Sequence, residues 1–217
     1  QLPRIADVGD EFPAVVADVA HLAVTADLHG CGEIRTVGRP ADVERVFRER
    51  VAGGAVFAVR VRPIRHLLTG DAGFTILEPF REKYPDRYYN VGISEGAMIG
   101  LAAGLAMSGK NVFVYSIVPF VTMRCFEQVR IDLCYQNLPV KLIGVGQGFT
   151  YGTAGTTHHA IEDIAIMRAL PGMTVICPAG PLETGKAVAA SMDLEGPCYI
   201  RLGKSGEPAV HENGNFD

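Results

Sequence analysis

The sequence predicts an α/β fold: a doubly wound, mostly parallel sheet with helices on both faces, plus a small α/β N-terminal segment. Three observations carry this. From Ile64 onward, short apolar runs suited to strands alternate with longer helical stretches, the pattern that yields βαβ units. The 217 residues are 48% hydrophobic, enough to bury a proper core without staples. No internal repeat or low-complexity tract interrupts the alternation.

Residues 1–62 read as helix, strand, helix, strand. Phe12 to Val24 is apolar with helical periodicity, and Glu33 to Val37 suits a short strand. Arg39-Pro40-Ala41-Asp42 opens a helix expected to reach Val51, and Ala55 to Val61 is a strand bounded by Gly53-Gly54 and Pro63. Residues 63–208 form the main domain. Its strands are expected at Arg65 to Thr69, Arg87 to Val91, Val112 to Ser116, Val140 to Val145, Met173 to Ile176 and Cys198 to Leu202. Its helices are expected at Thr75 to Lys83, Glu95 to Met107, Val121 to Gln136, Ile161 to Leu170 and Leu182 to Ser191. Residues 209–217 are polar and read as a flexible tail.

Composition narrows the function classes. Net charge is −4, and no cluster of Lys or Arg is dense enough for nucleic acid or anionic lipid. Mean hydropathy is +0.18, yet no segment offers the ~18 uninterrupted apolar residues of a membrane span, and no signal peptide is visible. The five cysteines, Cys31, Cys125, Cys134, Cys177 and Cys198, lack C-x-x-C spacing and mostly sit in apolar runs. Free buried thiols and a cytoplasmic setting are expected.

The chemistry centres on Asn90 to Lys110, where Glu95 stands at the mouth of an otherwise apolar, small-residue helix. Ser94 suits the N-cap, and Glu95 in the first turn suits the helix dipole. Ala97, Gly100, Gly104 and Ala106 are so small that this helix is expected to lie close against another backbone. Taken alone, Glu95 is a first-turn acid favoured by the dipole. Its surroundings point further.

The run Pro85-Asp86-Arg87-Tyr88-Tyr89-Asn90-Val91-Gly92-Ile93-Ser94-Glu95 resembles the hallmark of the pyrimidine-binding (Pyr) domain of the transketolase family. The resemblance covers residues 64 to about 208 and implies a thiamine-diphosphate-binding fold of the Pyr type. It also implies that Glu95 touches N1′ of the cofactor's aminopyrimidine ring and exchanges a proton there, which assists deprotonation of the thiazolium carbon. Ile93 belongs to the same motif. Residues 1–62 resemble, more faintly, the end of a diphosphate-binding (PP) domain.

Further motifs extend the likeness. Tyr115-Ser116-Ile117-Val118-Pro119-Phe120, ahead of Arg124-Cys125-Phe126-Glu127-Gln128-Val129-Arg130, looks like the family's aromatic pocket, in which Phe120 stacks on the aminopyrimidine and Tyr115 adds to the lining. A flat heteroaromatic needs an apolar face and a carboxylate at its edge, which Phe120 and Glu95 supply; the plain alternative makes Phe120 a core residue at a strand end. Thr69-Gly70-Asp71-Ala72-Gly73 ends the first main strand. It is not the G-D-G-(x)n-N signature that holds Mg²⁺ and diphosphate, because Asn90 comes too early and belongs to another motif, so no metal site is assigned. Asp71 matches the family's Asp on the thiazolium side; a turn-forming Asp between glycines is the alternative.

Gly144 to His159 is glycine-rich without the Lys-Ser/Thr of a Walker loop. Its Gly155-Thr156-Thr157-His158-His159 and the following Glu162-Asp163 resemble the family segment whose first His faces substrate oxygens, which implies that role for His158; an ordinary loop His is the alternative. His159 is structural, and Glu162-Asp163 a helix-opening acid pair. Adjacent histidines point apart and lack further ligands at zinc spacing. Ala154 and Gly180 stand where many sugar-processing relatives carry Asp, so ordinary ketose-phosphate recognition is not implied. A nicotinamide-binding Rossmann domain is excluded because no G-x-G-x-x-G joins a first strand to a helix.

The resemblance implies half of a site. Thiamine diphosphate is gripped between PP and Pyr domains, and the Mg²⁺ and diphosphate would be held by a PP-domain partner subunit. The expected protein is one component of a split transketolase-like enzyme in a dimer or heterotetramer, or a portion of a longer chain. It would transfer a two-carbon or acyl unit from a ketose or 2-oxo acid donor to an aldehyde. The alternatives are a beta-type subunit of a 2-oxo-acid decarboxylase or dehydrogenase, and a non-catalytic assembly module.

Overall fold

The computed structural model describes residues 66–204 and Val210 in full, and the backbone of 45–50 and 56–61. Arg45–Arg50 (β1) and Val56–Val61 (β2) form an antiparallel hairpin with Arg45 opposite Val61 and Arg50 opposite Val56. The helix expected to reach Val51 is therefore strand over its last turns. The reason is local: Val46 and Phe47 are strand formers, and the connection to β2 contains Gly53-Gly54. The expected strand ending at Val61 is present. Phe12 to Val24, Glu33 to Val37, the helix start at Arg39 and the tail apart from Val210 lie outside the described residues.

Six strands form an all-parallel sheet: β3 (His66–Thr69), β4 (Tyr88–Asn90), β5 (Val112–Ile117), β6 (Val140–Val145), β7 (Thr174–Ile176) and β8 (Cys198–Leu202), in the order β4-β3-β5-β6-β8-β7. The chain leaves β3 for β4 on one side and then crosses to β5 on the other. The carboxyl ends of β3 and β5 thus flank a switch point, the crevice in which open α/β sheets bind ligands. Register places Thr69 beside Asn90 on one side and Tyr115 on the other, so three loops rise from adjacent strand ends.

The helices are α1 (Glu78–Lys83), α2 (Glu95–Met107), α3 (Val118–Val121), α4 (Phe126–Gln128, continuing as a π-helix over Val129–Tyr135), α5 (Asp163–Arg168) and α6 (Pro181–Ser191). Strand β5 shows how they sort. Val112 and Val114 pack on one face with Met98, Ile99 and Ala102 of α2 and with Val129 and Leu133 of α4. Phe113 and Tyr115, pointing the other way, pack with Leu77, Phe80, Val188 and Met192. Each fully buried side chain of this size contributes ~1.5–3 kcal/mol.

Two features depart from expectation. Helix α2 turns Met98, Ile99, Ala102, Ala103 and Ala106 to the core, while Gly100 and Gly104 are exposed, with no other part of the described chain within 4 Å of where a Cβ would stand. Of its small residues, Ala102, Ala103 and Ala106 pack, whereas Ala97, Gly100 and Gly104 do not face the described chain. The single helix expected over Val121 to Gln136 is broken after Val121. Pro119 opens a short turn, the Thr122 hydroxyl donates to the Val118 carbonyl at 2.6 Å, and the Cys125 thiol to that of Val121 at 3.1 Å. The Arg124 amide reaches back five residues to the Pro119 carbonyl at 3.0 Å. Side-chain bonds of this kind compete with the helical ladder and widen it, and such widenings often mark functional sites.

Among the described cysteines all are free; Cys125, Cys134 and Cys198 are buried and Cys177 is exposed. Burial pushes the Cys134 and Cys198 thiols up to about 11. No helix among the described residues is long and apolar enough to cross a membrane.

Candidate functional site

Helix α2 starts where the loop from β4 turns over the end of β3. Ser94 is its N-cap by position: its carbonyl accepts the Met98 amide at 2.9 Å, although its hydroxyl makes no capping bond. This start carries Glu95 into the interior, 2% exposed. Gly70 gives it room, since a Cβ there would stand 3.4 Å from Glu95 Oε1. Glu95 Oε2 accepts Arg124 Nη1 at 2.8 Å, while buried Oε1 has no hydrogen-bond partner among the described residues. A buried carboxylate oxygen left unsatisfied is costly, and native structures keep few of them without a use.

Phe120 sits in α3, half-buried, with the Arg124 guanidinium carbon 4.0 Å from its ring centroid. His158 meets the same phenyl ring edgewise, centroids 5.1 Å apart and planes at 68°. Glu95, Arg124, Phe120 and His158 therefore form one contiguous group. It joins three sequence-predicted residues through a fourth, Arg124, that sequence reasoning left without a role. The broken α3–α4 helix delivers Arg124 there, and the signal available beforehand was Pro119 with Thr122 and Cys125 inside a supposed single helix. The Cys125 thiol beside this group is raised to about 12, first by burial and second by the Glu95 charge.

His158 lies between Phe120 and Tyr151, whose ring centroid is 5.5 Å away. Its Nδ1 is engaged with the Thr157 hydroxyl at 2.9 Å, which leaves Nε2 to face another group. Tyr151 packs on Gly146, whose φ of +93° and lack of a side chain make the contact possible; a Cβ would collide with the ring. His159 turns away, its Nε2 on the Gly152 carbonyl at 3.0 Å and its ring 4.9 Å from that of Phe149. Among the described residues no group of three His, Cys, Asp or Glu could hold a metal ion.

The other predicted residues are placed differently. Asp71 is exposed at the crevice edge in a left-handed turn with φ of 55°, which Asp tolerates. Asn90 fixes it: Asn90 Oδ1 accepts the amides of Asp71 at 3.1 Å and Gly92 at 3.0 Å, and Nδ2 donates to Asp71 Oδ1 at 3.1 Å. Asn90 thus ties the β3 loop to the loop that launches α2. Ile93 stands at the tip of that loop, 76% exposed. Tyr115 is not brought to the group. It points to the opposite face of β5, 2% exposed, against the residues around Leu77 and Gly73, and burial raises its hydroxyl far above the tyrosine range. The period of two along β5 explains the correction.

Asp163 is more than a helix-opening acid. It is fully buried, and its carboxylate accepts Tyr199 O–H at 2.7 Å, Arg201 Nε at 2.8 Å and Arg201 Nη2 at 3.3 Å. Arg201 also donates to the Ala160 carbonyl at 2.9 Å and to Gln147 Oε1 at 3.0 Å. Since Gly148 and Ala160 exchange backbone hydrogen bonds, Arg201 staples the neck of the loop that carries Tyr151 and His158.

Comparison with known proteins identifies the family. The family described as transketolase, pyrimidine binding domain, matches residues 57–208. One of the subunits of the apulose-4-phosphate transketolase of Phocaeicola vulgatus is 40% identical over 151 residues, covering 69% of this chain and 48% of that protein. A putative transketolase C-terminal section of Methanocaldococcus jannaschii is 38% identical, covering 65% of this chain and 45% of its own length. Among solved structures, a split gene transketolase described as an inactive beta4 tetramer superposes with a TM-score of 0.60 at 38% identity, over 68% of this chain and 48% of the other. The chain spans about half the length of the curated relatives it matches.

Proposed function

Since the chain belongs to the transketolase pyrimidine-binding domain family, we propose that it supplies the pyrimidine side of a thiamine diphosphate site in a split transferase and works only with a diphosphate-binding partner. The observation that supports this best is the buried Glu95 carboxylate with one unfilled oxygen, next to the half-buried Phe120 ring. A polar edge and an apolar face side by side fit an aminopyrimidine. When bound, thiamine diphosphate supplies the carbanion chemistry that breaks and forms the C–C bond.

The residues of this chain then take separable roles. Glu95 holds or releases a proton at its carboxylate. Phe120 gives a flat apolar face. His158, with Nδ1 engaged by Thr157, presents Nε2 to a substrate oxygen, to or from which an imidazole can pass a proton. Asp71, Asn90 and Ile93 shape the open edge that a partner would cover. Mg²⁺ is assigned to the partner.

The Phocaeicola relative's name supports a ketose phosphate over a 2-oxo acid as donor. Ala154 and Gly180 place no carboxylate on such a donor, so its hydroxyls are read by other groups. The test is Glu95→Gln in the chain mixed with its partner, thiamine diphosphate and Mg²⁺. Turnover is expected to fall ~10²- to 10⁴-fold. Undiminished turnover would assign catalysis elsewhere and leave this chain an assembly module.

A further inference from the structure

The Glu95 side chain is 1% exposed, whereas the Arg124 side chain that caps its Oε2 is 44% exposed. Arg124 holds the hydrogen-bonding position on Oε2, so a ligand can take that position only once Arg124 moves, and a guanidinium so open has solvent to move into. Arg124 is also the group whose guanidinium lies 4.0 Å from the Phe120 ring centroid. One planar cation thus makes both contacts that the proposed pocket offers to a ring: an N–H on the carboxylate and a flat face on the phenyl. A 4-aminopyrimidine protonated on its ring nitrogen has the same character, a flat cation whose charge is shared between a ring N–H and the amino group through the ring.

Building on the thiamine diphosphate reading above, we propose that Arg124 is an intramolecular stand-in for the cofactor's aminopyrimidine ring. It keeps Glu95 paired and Phe120 covered, and it yields both to the ring by swinging toward solvent. Binding is then an exchange of one planar cation for another, and Arg124 sets cofactor affinity as a positioning residue without touching substrate. The arrangement also avoids an uncompensated buried carboxylate, a strongly destabilising condition.

The test compares wild type, Arg124→Met and the Glu95→Gln/Arg124→Met double variant. Thiamine diphosphate binding is measured by calorimetry on the chain mixed with its diphosphate-binding partner and Mg²⁺, and melting is measured on the chain alone. Arg124→Met is expected to bind the cofactor about tenfold more tightly, a change of about 1.4 kcal/mol, because no internal contact has to be broken first. The same variant is expected to melt below wild type, and adding Glu95→Gln is expected to restore melting, because the stranded charge is gone. Equal or weaker cofactor binding by Arg124→Met overturns the proposal, as does unchanged melting. Failure of the underlying reading looks different: wild type and variants alike then bind no thiamine diphosphate, and the stand-in role falls with it.

Discussion

Glu95 and Asp163 are near twins by sequence and opposites in structure. Each is an acid in the first turn of a helix, each is buried, and each meets an arginine at 2.8 Å. Asp163 is saturated: Tyr199 and two nitrogens of Arg201 fill both oxygens, and that arginine is itself anchored on Ala160 and Gln147. Among the described residues Glu95 has a single hydrogen-bonding partner, a half-exposed arginine on Oε2, and none on Oε1. The number of filled acceptor positions separates a carboxylate that holds the fold from one poised for a ligand. Neither burial nor an arginine neighbour does so alone.

The largest expected effect on stability follows from that difference. Asp163→Ala strands the Arg201 charge, only 15% exposed along its side chain, and releases the neck of the His158 loop. It should cost ~3–5 kcal/mol in urea unfolding. Glu95→Gln removes a charge whose only partner is screened by solvent, so it should stay within about 1 kcal/mol of wild type. Equal losses at the two positions would erase the distinction between them.

A finer comparison uses pH. Burial, then the charge and hydrogen bond of Asp163, raise the Tyr199 hydroxyl far above the usual tyrosine value. A group whose folded value is raised contributes stability that is complete below its unfolded value, here 10.0, and is lost as pH rises beyond it. Tyr199→Phe should therefore cost about 1.5 kcal/mol at pH 7. The gap between variant and wild type should narrow above pH 10, measured by unfolding at a series of pH values. A gap that stays constant would mean that the hydroxyl is not coupled to Asp163.

Much of this was legible in the sequence, for reasons that differ by element. Strands β6 and β8 and helix α2 have the expected bounds because continuous apolar runs, Pro139 and Pro197 ahead of the strands, and Ser94 at the helix start are local signals. The hairpin strand β1 was not legible, because its pairing with β2 overrides the helical reading of a charged segment. Motifs singled out Glu95, Phe120 and His158, and the fold brings these three side chains together with Arg124. Tyr115 was not legible, because placing it required the alternation along β5 to be carried through from Val112. Arg124 and Arg201 were invisible as partners, since they reach across 29 and 38 residues to their carboxylates. Such contacts exist only once the sheet order brings the strand ends together.

The smallest effect probes the Glu95 side directly. The Cys125 thiol stands at about 12 because of burial first and the neighbouring Glu95 charge second. Glu95→Gln removes the second cause and leaves the first, so the thiol should titrate lower than in wild type yet still above its ordinary 9.0. Because the folded value is raised, stability tied to Cys125 is intact below pH 9 and declines as pH climbs toward 12, and the variant should lose somewhat less over that window. Alkylation of the native chain across this pH range reads the shift, with exposed Cys177 reacting first as an internal reference. An unshifted Cys125 would mean that the Glu95 charge is already neutralised by Arg124 at the distance of the thiol.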